Sequence, residues 1–255
     1  TPPRHSAARP RTQAGNRAPV GGGGGLSLKV VGSWGADEAR KYGVHVEQHD
    51  DRYARTAEWL DVVDGLWQQD HFSYAGKYYQ VEDALMSPKP ATQPRPVIYA
   101  GGESEAAKNL IAQKCDAFVM HGDPPEKIRE KIADMSERRE RFGLPRMQFG
   151  VAAYAIVRDT ESEAQAELAR ITDVQSSAAG YDNYQQWLSG TKLEGQMSIN
   201  EYSVSNRGLR PNLIGTPAMV KERVAAFADA GVDLLLLQSS PQLEEMERFA
   251  AQVIH

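Results

Sequence analysis

The chain has 255 residues, 25 % charged and 41 % hydrophobic, a length that fits one or two domains of roughly 150 residues and equally a single α/β barrel. A formal charge of −5 argues against nucleic acid as the main partner, and the longest aliphatic run, leucine throughout 234–237, is far short of the ~18 residues of a membrane span. The lone cysteine, Cys115, excludes an internal disulfide framework and a multi-cysteine zinc site, so a reducing, cytoplasmic setting is the expectation.

Residues 1–25 carry four arginines, no acid, four prolines and six glycines. Such a segment buries too little apolar area to offset chain entropy and reads as a disordered tail. It has no apolar core of a secretory signal, and its prolines and Gly21 to Gly25 preclude the amphipathic helix of a mitochondrial presequence. From residue 26 the pattern becomes regular. Aliphatic runs at 26–31, 96–100, 116–120, 149–157 and 233–238 have strand length and composition.

Helical segments lie between these runs. An amphipathic helix with Trp59, Leu60, Val63 and Trp67 on its apolar face follows the polar group His49-Asp50-Asp51-Arg52-Tyr53, whose aspartates read as an N-cap. Residues 71–82 alternate aromatic and polar side chains around Ala75-Gly76 and predict a small β-hairpin. Asp123-Pro124-Pro125-Glu126 predicts a helix with Asp123 as N-cap, Pro at N1 and Glu at N3, running to about Arg141. Gly215-Thr216-Pro217 and Ser239-Ser240-Pro241 open two more helices. Residues 172–212, rich in Ser, Gly, Asn and Tyr, are long for a connection and read as an active-site insertion. Strand alternating with helix means parallel strands, and five βα units can be counted.

In such folds ligands bind beyond the carboxyl ends of the strands. Gly101-Gly102-Glu103-Ser104 follows a strand and opens a helix. That arrangement suits a phosphate, because glycine lets an anion approach the backbone and the helix start supplies free N–H groups. It equally suits an ordinary tight turn capped by Ser104. His121, at a strand end, is a candidate for proton transfer or a packed histidine. His45 and His49 are four apart, but their order is not that of a metalloprotease helix, and no metal is expected. No dinucleotide fingerprint, Walker loop or serine-hydrolase elbow is present.

In combination, His49 to Tyr53, the hairpin, Pro88-Lys89-Pro90, Gly101-Gly102-Glu103-Ser104, Gly122-Asp123-Pro124-Pro125-Glu126, Ile156 to Thr160 and Asn212 to Pro217 resemble the bacterial luciferase-like flavin monooxygenases. The resemblance is strongest to the alkanesulfonate and dimethyl sulfone branch, and it covers about residues 26–255 as one domain. It implies a TIM barrel of which this chain carries about the last five βα units, the first three being absent as in a truncated or misread gene. It also implies reduced FMN, supplied by a separate NAD(P)H:flavin reductase. The phosphate would be held at Gly101, Gly102 and Ser104, with Tyr53 and His49 assisting. Oxygen activation would then cleave a carbon–sulfur bond in a small-molecule substrate, within a homo-oligomer.

Some positions depart from the alkanesulfonate enzymes. Lys29 stands for a common asparagine, Ala152 and Tyr154 for an arginine and a histidine, His121 for a tryptophan and Ser240 for a tyrosine. Arg207 and Arg210 lie near where the family places an arginine over its substrate. His121, Tyr154 and Arg207 are therefore the candidate catalytic residues. A sulfonate needs charge-assisted donors, so loss of the barrel arginine favours an uncharged sulfone. Two other readings compete: a non-catalytic flavin-binding relative, and an oxidoreductase using the deazaflavin F420.

Overall fold

The structure, a computed structural model, describes residues 27–30, 41, 49–92, 94–173, 198 and 207–255. The expected tail, His45 and most of the expected 172–212 insertion lie outside the described residues. The chain divides into two compact units, Thr1–Ala100 with Lys114–Asp116, and Gly101–Gln113 with Ala117–His255.

In the first unit, β1 (Ser27–Val30) pairs in parallel with β4 (Val97–Ala100), in the register Ser27↔Val97 to Val30↔Ala100. Helix α1 (His49–Gln68) buries Leu60, Val62, Val63 and Trp67. It starts at His49, so the polar group forms its first turns and does not precede them, a correction to the expected N-cap. The Asp51 carboxylate, favourably placed at a helix start, accepts from the Tyr78 hydroxyl at 3.0 Å and lies 3.3 Å from Lys77 Nζ. Strands β2 (Phe72–Ala75) and β3 (Gln80–Ala84) form the expected antiparallel hairpin as a sheet of their own. Its turn falls at 76–79, closed by the Gly76 N–H donating to the Tyr79 carbonyl at 2.9 Å.

One side chain ties the helix to that turn. The Glu58 carboxylate of α1 accepts the N–H groups of Lys77, Tyr78 and Tyr79 at 2.9, 2.8 and 3.2 Å. Desolvation opposes its charge, but those three donors and Lys77 hold it below the ordinary glutamate value. Lys89 Nζ donates to the carbonyls of Leu66 and Gln69 at the carboxyl end of α1, where unpaired carbonyls and the helix dipole favour a cation. Arg95 bridges Asp64 and Asp116, and Asp116 also accepts the Ile98 N–H at 2.8 Å, which fixes β4.

The second unit is organised on β6 (Gln148–Val157), almost wholly buried. It pairs in parallel with β5 (Ala117–Met120), β7 (Leu213–Gly215) and β8 (Leu234–Gln238), with registers Ala117↔Gln148, Ala155↔Leu213 and Gly150↔Leu234. A strand with both faces covered reads as a near-continuous apolar run, and 149–157 does. Its helices are α2 (Glu105–Lys114), α3 (Pro125–Arg141), α4 (Glu161–Thr172), α5 (Pro217–Asp229) and α6 (Gln242–Phe249), the last continued by a π turn at Ala250–Ile254.

Local chemistry sets the helix starts. Thr160 and Glu163 form a reciprocal capping box on α4, and the Thr216 hydroxyl accepts from the Met219 N–H on α5. Helix α3 ends at Arg141 as expected but begins one residue late, with Pro124 at the cap position and no side-chain cap. Asp123 is therefore not the N-cap, a second correction, because its carboxylate is engaged by cations.

Candidate active site

The turn Gly101–Ser104 and the segment after β5 meet within the second unit. Gly101 is required by packing, since a β-carbon there would lie 2.6 Å from the Val119 carbonyl oxygen of β5. Ser104 caps α2, accepting the Ala107 N–H at 3.3 Å. In the first turn of α2 Glu105 is matched by Arg138 and Lys108, so its charge does not repel an anion at the helix start. Gly102, Glu103, Lys108, His121, Lys131 and Asp134 are among the lining of a pocket floored by Phe118 to Met120.

Beyond β5 the chain passes His121, Gly122 and Asp123. Gly122 is forced by its surroundings: a β-carbon would lie 2.3 Å from the Arg207 carbonyl oxygen and 2.8 Å from that of Ala152. This close approach brings the segment from residue 207 against the strand ends, where the Tyr154 N–H donates to the Gly208 carbonyl at 2.7 Å. Arg207 is 2 % exposed and left-handed, φ 61°. Its Nη2 donates to Glu103 Oε1 at 2.5 Å, and its Nη1 lies 3.7 Å from Asp123 Oδ2. Asp123, 7 % exposed, also accepts from Lys131 at 2.5 Å and Arg210 at 3.2 Å. Lys131 reaches Glu103 as well, at 3.4 Å.

Burial opposes the charge of both carboxylates, yet their cations prevail. Arg207 holds Glu103 below the usual range, and Lys131 does so for Asp123. His121 is shifted the other way: burial first, then the Arg207 charge, lower it below the ordinary histidine value. At neutral pH it is an uncharged imidazole, able to accept a hydrogen bond or a proton.

The structure thus brings Gly101, Gly102, Ser104, His121 and Arg207 into the second unit's strand-end region. His49 and Tyr53 stand on α1, in the first unit. Tyr154 belongs elsewhere. It is 6 % exposed and packs in an apolar cluster with Ile156, Ala164 and Ile214, flanked by Leu168 and Ile171 of α4. Burial, then Glu167 and Glu245, raise its hydroxyl above the ordinary tyrosine value. This is the packing role that β6 offers a residue facing α4. Local sequence patterns did not reveal Glu103, Asp123 and Lys131 as partners of the two arginines. The available signal was Lys131 in the second turn of α3, eight residues after Asp123, which lies just ahead of that helix.

The family model for luciferase-like monooxygenases matches residues 22–234. The chain belongs to the bacterial luciferase-like monooxygenase family. Within this family it is 33 % identical over 239 residues to an FMNH2-dependent dimethylsulfone monooxygenase of Pseudomonas putida, covering 91 % of this chain and 66 % of the relative. A protein of the same description from Pseudomonas fluorescens (strain Pf0-1) is 32 % identical over 238 residues, with 91 % and 65 % covered. The chain therefore spans just under two thirds of the length of these relatives. Among solved structures, DmoA from Hyphomicrobium sulfonivorans superposes with a TM-score of 0.75 at 20 % identity, covering 89 % of this chain and 60 % of that one. The expected fold class, a luciferase-like α/β barrel spanned in part, is the one this likeness carries. Among the described residues no helix is long and apolar enough to cross a membrane.

Proposed function

We propose that this luciferase-like chain is a reduced-FMN-dependent monooxygenase acting on a small organosulfur compound, a sulfone ahead of an alkanesulfonate, with its reduced flavin delivered by an NAD(P)H:flavin reductase. The observation that carries this reading is 32–33 % identity to FMNH2-dependent dimethylsulfone monooxygenases over 91 % of the chain. The donor set fits the cofactor. Around residues 101–104 there are a capped helix start and a Gly-Gly approach, with Lys108 and Lys131 in the lining, Glu105 matched by Arg138 and Lys108, and Glu103 matched by Arg207 and Lys131, which together suit a phosphate monoester.

In this reading the backbone at Gly101 and Gly102, the start of α2 and Ser104 hold the phosphate. Bound reduced FMN supplies the oxygen activation. Arg207 offers a hydrogen bond to a substrate oxygen, and His121, kept uncharged by burial and by Arg207, accepts the proton released at the oxidised carbon.

Oxygenation of a methyl carbon followed by carbon–sulfur cleavage releases formaldehyde and a sulfinate from dimethyl sulfone. The test is turnover with a flavin reductase, NADH and dimethyl sulfone, read as formaldehyde. Formaldehyde dependent on FMN and on dimethyl sulfone supports the reading. F420-dependent turnover without FMN, or flavin binding with no product from any sulfone or sulfonate, contradicts it.

A further inference from the structure

Glu103 and His121 line one pocket, so a small molecule there can reach both side chains. The charged groups that act on the imidazole are Arg207, Glu103 from the turn before α2, Lys131 from α3 and Asp123 from the segment after β5. Two further charges on the same lining, Lys108 of α2 and Asp134 of α3, answer each other at 3.2 Å.

The two carboxylates near His121 are not equally occupied. Both oxygens of Asp123 are taken, Oδ1 by Arg210 at 3.2 Å and Oδ2 by Lys131 at 2.5 Å. Glu103 uses Oε1 for both of its cations, Arg207 at 2.5 Å and Lys131 at 3.4 Å. Its Oε2 is buried without a partner among the described residues. A buried carboxylate oxygen with no donor is costly, yet the cations on Oε1 keep the group ionised against burial.

A neutral imidazole has one N–H and a protonated one has two. Proton uptake at His121 therefore creates the kind of donor that Oε2 lacks. Burial and then the Arg207 charge oppose that uptake, whereas Glu103 and Asp123 favour it. Of those two, Glu103 is the one with an acceptor atom to spare.

We propose that Glu103 is a positioning residue for His121: its Oε2 receives the ring N–H of the protonated imidazole and holds the ring in one orientation while it carries the proton. The use of this pair in turnover rests on the monooxygenase reading above. The proton passes to a ring nitrogen, its electron pair stays on the substrate, and Glu103 remains ionised. Glu103 thus acts through His121, as the third group does that orients a base.

The test uses the full chain, wild type and Glu103→Gln, with ring NMR of His121 and the pH dependence of formaldehyde release from dimethyl sulfone. On acidification, wild type is expected to show a slowly exchanging, far-downfield ring N–H resonance as His121 protonates, the mark of a charge-assisted hydrogen bond shielded from water. Glu103→Gln keeps the shape and removes the charge, so it should hold the proton roughly tenfold less tightly, its midpoint falling by about one pH unit. Its rate should rise with pH over a correspondingly more acidic range, to a plateau roughly tenfold below wild type. A role in packing alone would move neither the midpoint nor the profile. A midpoint unmoved in a folded Glu103→Gln overturns the proposal, and so does an unmoved profile. If the variant melts without a cooperative transition, the wild-type resonance decides, and its absence below the midpoint overturns the proposal. If neither protein releases formaldehyde, the organosulfur reading fails, and the NMR readouts still decide the pair.

Discussion

Gly122 passes the carbonyl of Arg207 so closely that a β-carbon would lie 2.3 Å from its oxygen. The atoms it would strike are backbone oxygens of Arg207 and Ala152 and the ring Cδ of Pro211, none of which can swing aside as a flexible side chain would. Gly122→Ala is expected to cost about 1–3 kcal/mol of stability through overpacking, measured by urea denaturation. Amide exchange at 207–212 should accelerate more than exchange in α3. An unchanged denaturation midpoint would mean that this approach is looser than the geometry states.

Tyr154 separates packing from chemistry. Its ring fills the cluster with Ile156, Ala164 and Ile214, so Tyr154→Ala should destabilise by roughly 3–5 kcal/mol, as loss of a large buried ring does. Tyr154→Phe keeps the ring and should leave turnover within about threefold of wild type. A loss of turnover near a thousandfold in Tyr154→Phe, with the melt unchanged, would restore a catalytic role to its hydroxyl.

His121 titrates below the ordinary histidine value because it is partly buried and lies near Arg207. The folded protein thus binds this proton less readily than the unfolded chain. The group's contribution to stability is intact above about pH 6.5, the ordinary value, and is lost as pH falls below it until the folded form also protonates. Ring NMR of His121 should show the low midpoint, and Arg207→Gln should raise it by removing the cation and exposing the imidazole to Glu103. A midpoint unmoved by Arg207→Gln would show that the two side chains are not coupled.

Glu58 and the hairpin turn give a carboxylate case of the same sign, in a more acidic window. Its folded value is depressed by three backbone donors, so its hold on the turn is complete above the ordinary glutamate value and fades as pH falls through the lower, folded one. Amide exchange at Lys77, Tyr78 and Tyr79 should speed up over that acidic window, and in Glu58→Gln at neutral pH. Exchange insensitive to both changes would mean that the turn holds without the carboxylate.

Much of the scaffold was readable from local pattern. The runs that became β1, β4, β5, β6 and β8 are rich in Val, Ile, Leu and aromatics, and the end of α3 is set by Gly143 and Pro145 just past it. Strand β7 escaped because three residues, Leu213–Gly215, are too few to show a period. The N-cap assignment of Asp123 failed because cations hold its carboxylate: Lys131, eight residues on, at 2.5 Å and Arg210, 87 residues away, at 3.2 Å. The Glu103–Arg207 pair spans 104 residues, beyond any motif window. Ser104 was readable both as cap and as phosphate ligand, and the cap hydrogen bond is compatible with both.

The cap position of Ser104 permits the most direct test of the account. Aspartate caps a helix as well as serine does, so Ser104→Asp should keep α2 intact while placing a negative charge where the phosphate of reduced FMN is proposed to bind. Anaerobic titration of reduced FMN into wild type and Ser104→Asp, with the melt of each as control, is predicted to give saturable binding to wild type and roughly tenfold or greater weakening in the variant. Equal affinity in two equally stable proteins would contradict the placement of the flavin phosphate at the start of α2.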